Sequence, residues 1–188
     1  MERYELASTL AEGETFSKDI KAKSGVEVSS CYQCGKCSAG CPLAFAMDYM
    51  PRQIIRMVQL GIKEEVLKAK TIWLCVGCDT CYTRCPRKVD LPKLMEALRI
   101  EAKKAGFIGD KNVNLFADLF LKSVEQNGRV HEMGMILQYN IFSGQLLTDA
   151  MKSPKLFFDG KISPLPSKSD NKAAIKQIFA KVRRHGGA

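Results

Sequence analysis

Apolar residues recur at helical spacing along most of the chain, and the residues between them mark where helices begin and end. Pro51 is placed to open one helix and Gly61 to end it. Asp90 is placed to cap a longer helix, which Gly106 would stop. The apolar stripe of this longer helix consists of Leu91, Leu94, Met95, Leu98 and Ala102.

The rest of the chain follows the same period, with few alternating segments. Further helices are predicted over residues 15–24, 63–69, 110–128 and 171–184. The apolar segment 131–150 is interrupted by Gly134 and Gly144, so its pattern is a weaker sign of a helix. Residues 153–170 contain three prolines and four serines, a composition typical of a linker. Only residues 26–29 alternate as a short strand would, and the predicted fold class is mainly α.

Charge is concentrated at the end of the chain. The formal net charge is +9, and residues 152–188 hold nine Lys/Arg against two Asp/Glu. The terminal helix therefore either packs on its own domain with its charges in water, or reaches an acidic neighbour. No apolar run approaches the length that crosses a bilayer, and the charged start lacks the apolar stretch of a signal peptide. A cytoplasmic protein is expected.

All eight cysteines lie in one repeated motif. Residues 31–42 read CYQCGKCSAGCP and residues 75–86 read CVGCDTCYTRCP, both of the form C-x2-C-x2-C-x3-C-P, 44 residues apart. Three cysteines at this spacing can wrap three corners of a [4Fe–4S] cluster, and the fourth ligand must come from elsewhere. Structural zinc, which usually takes two C-x2-C pairs, and disulfides are the weaker alternatives.

The repeat also predicts which cysteines act together. In two-cluster ferredoxins the fourth cysteine of each run ligates the other cluster. The first predicted cluster is held by Cys31, Cys34, Cys37 and Cys85. The second predicted cluster is held by Cys75, Cys78, Cys81 and Cys41. The glycines at positions 35, 40 and 77 are expected to let backbone N–H groups approach the sulfurs.

These motifs, the 33-residue insert between Cys41 and Cys75, and the stretch from Thr71 to Pro92 resemble the α-helical ferredoxins. Within them, the chain is similar to the family of C subunits of heterodisulfide reductases from methanogenic archaea. The resemblance implies an α-helical ferredoxin fold with two [4Fe–4S] clusters. It also implies an electron relay from a flavin-containing subunit to a catalytic subunit, which reduces the mixed disulfide of coenzymes M and B.

Motifs that do not occur in this sequence distinguish between the families that it resembles. The catalytic chains carry Cys-Cys-Gly motifs, which do not occur in this sequence, so disulfide chemistry is expected on another chain. The alternative is an equivalent relay subunit of a glycerol-3-phosphate, succinate or lactate dehydrogenase type of enzyme. Succinate dehydrogenase-type subunits carry an additional [2Fe–2S] domain, for which the thirty cysteine-free residues before Cys31 leave no ligands. A nucleic-acid-binding protein is disfavoured, because the basic residues lie on a single terminal helix.

The predicted organisation has three parts. Residues 1–30 form a lead-in, residues 31–150 an α-helical ferredoxin domain, and residues 151–188 a basic linker and helix. No nucleophile–base pair and no phosphate-binding glycine loop are found in the sequence. The chain is therefore expected to transfer electrons within an oxidoreductase complex without substrate chemistry of its own.

Overall fold

The computed structural model describes residues 6–144, 169 and 171–184, with side chains from residue 15 onward. Within these residues the backbone forms α-helices and short 3-10 turns and contains no strand. The predicted mainly α fold class is therefore confirmed. Backbone contacts divide the chain into two compact units, Met1–Asp110 and Lys111–Ala188. The predicted boundaries near residues 30 and 150 remain a prediction.

Three helices of the first unit, which begin at residues 51, 63 and 91, lie close to where the sequence predicts them. The first helix begins at residue 6 and not near residue 15, and the short helices over 36–39, 71–74 and 80–83 were not predicted. The helices of this unit are α1 (Leu6–Ser24), α2 (Lys36–Ala39), α3 (Pro51–Leu60), α4 (Lys63–Lys68), α5 (Thr71–Leu74), α6 (Thr80–Thr83) and α7 (Leu91–Lys104). Gly61 ends α3 with a φ of +74°, a left-handed conformation that glycine adopts without a Cβ clash. The Asp90 carboxylate accepts a hydrogen bond from the Lys93 N–H at 3.2 Å and caps α7. These signals are local, which is why the sequence alone reveals them.

The core of the first unit lies where α1 packs against α3 and α7. Phe16 and Ile20 of α1 are buried, so the segment before the first cysteine belongs to this core. The other helices supply fully enclosed side chains, which include Ile54, Val58, Val66, Leu67, Ile72, Leu94 and Leu98. Each such side chain contributes roughly 1.5–3 kcal/mol by leaving water. This core holds both cysteine motifs between its helices.

The strand predicted over residues 26–29 is wrong. Val28–Ser30 forms a 3-10 turn, in which the Cys31 N–H donates to the Val28 carbonyl at 3.1 Å. Val26 and Val28 are both buried, so the alternating pattern reflects two contacts with the helical core. With no strand elsewhere in the described residues to pair with, this segment bonds its backbone within its own turn and to the Gln59 side chain of α3.

The second unit contains α8 (Lys111–Asn127), α9 (Glu132–Ser143) and α10 (Lys172–Arg184). Helix α8 contacts both α9 and α10, and Phe116 meets Tyr139 edge to face with ring centres 5.9 Å apart. Helix α10 therefore packs within its own unit, where Arg183 pairs with Glu125. Its side chains Ile178 and Val182 stay exposed. The predicted linker lies outside the described residues apart from residue 169.

Candidate iron–sulfur sites

The two cysteine motifs fold in the same way. Gln33 and Gly77, which are equivalent in the repeat, both have a φ of +63°. The next equivalent pair, Gly35 and Asp79, has φ values of +83° and +58°. Each pair precedes a four-residue helix, α2 in the first copy and α6 in the second. Each copy thus places one glycine where the other strains a larger residue, at a typical cost of about 1–3 kcal/mol.

Two cavities lie between these motifs, and cysteines line both. One cavity, the larger of the two, is lined by four cysteines: Cys41, Cys75, Cys78 and Cys81. The other, smaller cavity is lined by five: Cys31, Cys34, Cys37, Cys81 and Cys85. Each cavity is therefore lined by cysteines of both motifs. In the part of the chain that the structure describes, no three His, Cys, Asp or Glu side chains are spaced for a single metal ion.

The walls of the two cavities differ in charge. Apart from its cysteines, the larger cavity is lined by apolar residues and Thr80, with no charged side chain. The smaller cavity includes the side chains of Lys36 and Arg52, both of which are exposed. Leu91, the buried first residue of α7, lines both cavities, as does Cys81. The two sites are therefore adjacent and share a wall.

Each cavity has one cysteine that is open to solvent. Cys34 and Cys78 are exposed, whereas the other six cysteines are partly buried. These two residues are equivalent in the repeat, as the second cysteine of each motif. Tyr32 and Val76, an equivalent pair beside them, are also exposed, at 61% and 69%. Each cavity thus has one cysteine at the protein surface.

The thiols inside the cavities are held in an apolar and crowded setting. Burial raises the pKa of Cys37 and of Cys75, and burial with the nearby Cys75 thiol raises the pKa of Cys81 to about 12. At Cys78, hydrogen bonds from the Thr80 side chain and backbone lower the pKa. Such buried thiols ionise readily only when a metal supplies positive charge. Four cysteines around one cavity, as at Cys41, Cys75, Cys78 and Cys81, are a donor set that fits a [4Fe–4S] cluster.

Hydrogen bonds from distant helices hold the first cysteine of each motif. Gln59 on α3 donates to the carbonyl oxygens of Val28 and Cys31, at 2.7 and 3.1 Å. Arg99 on α7 donates to the carbonyl oxygens of Ile72 and Cys75, each bond being between 2.7 and 3.0 Å long. At other ligands, the Val89 N–H lies 3.3 Å from the Cys85 sulfur. Such bonds orient ligands and tune the metal that they bind.

Asp48 ties the beginning of the insert to its end, just before the second motif. Its carboxylate accepts hydrogen bonds from the backbone N–H groups of Tyr49, Lys70 and Thr71 and from the Thr71 hydroxyl, at 2.7–2.9 Å. Burial acts to raise the pKa of Asp48, but these hydrogen bonds, led by the Thr71 hydroxyl, outweigh it and lower the pKa. Asp48 thereby caps α5, the helix that leads directly into Cys75.

Sequence reasoning missed these supporting residues. Gln59, Arg99 and Asp48 act on residues 22–31 positions away, and nothing in their local pattern indicates a partner. The left-handed Gln33 and Asp79 did leave a signal, because each aligns with a glycine in the other copy of the repeat. Of the three glycines expected to admit backbone N–H groups, Gly35 and Gly77 are left-handed and Gly40 is not.

Comparison with known proteins agrees with this geometry. Residues 27–89, which contain both motifs, match the family described as the 4Fe-4S dicluster domain.

None of the helices in the described residues is both long and apolar enough to cross a membrane.

Relatives from methanogenic archaea match about half of the chain. The chain is 43% identical over 93 residues to the C subunit of the H(2):CoB-CoM heterodisulfide,ferredoxin reductase of Methanothermobacter marburgensis, covering 50% of each protein. It is 42% identical over 83 residues to the iron-sulfur C subunit of the CoB–CoM heterodisulfide reductase of Methanopyrus kandleri, covering 44% of this chain and 43% of the relative. The match thus spans about half the length of these curated relatives, and it confirms the resemblance drawn from the motifs.

Proposed function

We propose that this chain is the electron-relay subunit of a cytoplasmic heterodisulfide reductase complex and carries two [4Fe–4S] clusters. The observation that carries the proposal is the pair of adjacent cavities, each lined by at least four cysteines and each open to solvent at one cysteine. The match to the dicluster family and the names of the relatives support the cofactor and the complex.

The cavity linings support a division of the cysteines between two clusters. The larger cavity offers only four cysteines, so all four are required there for a complete ligand set. Cys81, which lines both cavities, is thereby assigned to the larger one. The remaining four, Cys31, Cys34, Cys37 and Cys85, then form the ligand set of the smaller cavity. This is the cross-ligated arrangement predicted from the repeat.

The exposed cysteines support a relay role. A [4Fe–4S] cluster takes up and releases one electron at a time. The residues of this chain hold the two sites side by side through the shared Leu91 and Cys81. Cys34 gives one site an edge at the protein surface, and Cys78 gives the other site an edge of its own at the surface. An electron that enters at one edge can therefore leave at the other.

The proposed partners follow from the chemistry that this chain lacks. Its sequence has no Cys-Cys-Gly motif, so the disulfide-reducing step is assigned to a separate catalytic subunit. The electrons are proposed to come from a flavin-containing iron–sulfur subunit of the same complex. Eight cysteines without a disulfide among them are consistent with a reducing compartment such as the cytoplasm.

Reconstitution tests this function. A flavin subunit and a Cys-Cys-Gly subunit should reduce the heterodisulfide of coenzymes M and B only when this chain is added with its clusters. The chain alone, reduced chemically, should not reduce the heterodisulfide. Turnover by the isolated chain, or full turnover by the other two subunits without it, would refute the relay.

A further inference from the structure

In each motif, a side chain from another helix hydrogen-bonds to the backbone of the first cysteine. The carbonyl groups that accept these bonds are equivalent in the two motifs. In the repeat, Val28 and Cys31 correspond to Ile72 and Cys75. The carbonyl oxygens of the first pair accept hydrogen bonds from Gln59, and those of the second pair accept them from Arg99. Gln59 and Arg99 are not themselves equivalent in the repeat. Two unrelated positions therefore perform the same task, one on α3 and one on α7.

The two anchors differ in charge. Gln59 is neutral. The nearby Arg56 is exposed and donates a hydrogen bond to the Gln59 side-chain oxygen, at 3.1 Å. Arg99 is partly buried and places its guanidinium directly on the Cys75 carbonyl, at 2.7 Å. Among the described residues, no ion pair includes Arg99. Its guanidinium is placed on the carbonyl oxygens of Ile72 and Cys75 instead.

The surroundings of this charge strengthen its effect. The larger cavity, which Cys75 lines, has no charged side chain in its wall, so Arg99 acts across an apolar, poorly screening region. The other cavity is lined by Lys36 and Arg52, which are exposed and screened by water. Reduction adds one negative charge to a cluster, and a nearby cation stabilises that reduced form.

We propose that Arg99 is a positioning residue that raises the reduction potential of the cluster site formed by Cys41, Cys75, Cys78 and Cys81. The neutral Gln59 positions the other site without this effect. The inference rests on the proposed function, because it needs both clusters and their assignment to the two cavities. It gives the relay a built-in difference between its two sites, set by a residue outside either ligand set.

Potentiometric titration of the full-length, anaerobically loaded protein tests the proposal, with electron paramagnetic resonance as the readout. Arg99→Gln keeps donors for the two carbonyls and removes the charge. We expect it to shift one of the two midpoint potentials downward and to leave the other in place. Arg99→Lys, which keeps the charge, should recover most of the shift. Arg56→Gln removes the same charge from an exposed position and should shift neither midpoint.

Two further variants identify which midpoint has moved. The midpoint lowered by Arg99→Gln should be the one that Cys78→Ser alters, and Cys34→Ser should alter the other. An unshifted titration of Arg99→Gln, an equal shift in Arg56→Gln, or a shift of the Cys34-sensitive midpoint would overturn the proposal.

A reciprocal variant covers the case in which Arg99→Gln does not load its clusters. Gln59→Lys brings a cation to the first motif and should raise the Cys34-sensitive midpoint. If that midpoint does not rise, the idea that these anchors act through charge is wrong. The wild-type titration is the separate test of the proposed function: two midpoints support it, whereas a single cluster would sink the assignment before any variant is compared.

Discussion

The guanidinium of Arg84 lies against Gly40, and the two residues occupy the same position in the two copies of the cysteine motif. Each directly precedes the fourth cysteine of its copy, Cys41 or Cys85. A Cβ added at Gly40 would lie 2.5 Å from Arg84 Nη1 and 3.0 Å from its Cδ. The two copies of the repeat thus meet where a bulky residue of one lies over a glycine of the other.

This contact predicts a coupling that can be measured. Gly40→Ala should lower the free energy of unfolding by about 1 kcal/mol, because the Arg84 side chain must move away. In an Arg84→Ala background the same substitution should cost nothing, since the φ of −101° at Gly40 suits any residue. Denaturant unfolding of the four proteins gives the coupling as a double-mutant cycle. Additive effects would mean that Arg84 does not rest on Gly40.

Cross-ligation predicts which cluster responds to a lost cysteine. Cys41→Ser should perturb the same spectroscopic signal as Cys78→Ser, although these residues belong to different motifs. Cys85→Ser should likewise perturb the signal that Cys34→Ser perturbs. Mössbauer and paramagnetic resonance spectra of the loaded variants would show this. If the signal of Cys41→Ser instead matches that of Cys34→Ser, each motif binds its own cluster and the assignment is wrong.

Asp48 predicts a pH-dependent contribution to stability. Asp48→Asn should lower the free energy of unfolding at neutral pH, because it removes the carboxylate that accepts the hydrogen bonds that cap α5. The loss should be about 1 kcal/mol, since the carboxylate is only partly buried and is screened by water. The native pKa of Asp48 lies below its ordinary value, so the ionised form is the one that the fold stabilises. This stability is present above a pH of about 4, the ordinary pKa of aspartate, and is lost as the pH falls through the native pKa.

Unfolding curves of wild type and Asp48→Asn at several pH values check that sign. The difference between the two proteins should be largest near neutrality and shrink in acid. Acid protonates cysteine ligands in both proteins alike, so the difference between them is the relevant quantity. A difference that stays constant with pH would mean that the ionised carboxylate is not what holds α5 in place.

The packing of α1 predicts that the segment before the cysteines is needed for stability. Ile20 is 1% exposed, so Ile20→Ala should cost about 2–5 kcal/mol through lost burial and the cavity left behind. Asp19→Ala on the exposed face of the same helix serves as the control and should change stability by less than about 0.5 kcal/mol. Thermal unfolding followed by circular dichroism distinguishes them. Equal melting temperatures for the two variants would place α1 outside the core.

The sequence was informative where signals are local and silent where they are distant. Pro51 and Gly61 bracket α3 as predicted, because capping depends on neighbouring residues. The strand over residues 26–29 was wrong, since burial of Val26 and Val28 is decided by which helices surround them. The repeated cysteine motif also predicted the two ligand sets, which remain a proposal.

The anchors of the sites could not be predicted from the sequence. Arg99 and Gln59 look like ordinary polar residues on amphipathic helices, and their targets lie 24–31 residues earlier in the chain. Only the packing of α3 and α7 brings them to the carbonyl groups that they hold. A comparison of the two motif copies would have revealed the left-handed Gln33 and Asp79, because their counterparts are glycines.

Leu91 and Cys81, which line both cavities, bear on how the protein matures. Because one buried leucine forms part of both walls, a chain holding iron at one site has already ordered part of the other. In the proposed assignment every ligand set also draws on both motifs, so neither site is complete until the two copies have come together. We therefore expect metallation to be cooperative, with chains filling both sites or neither. At limiting iron and sulfide, native mass spectrometry should find empty and fully loaded molecules and few in between.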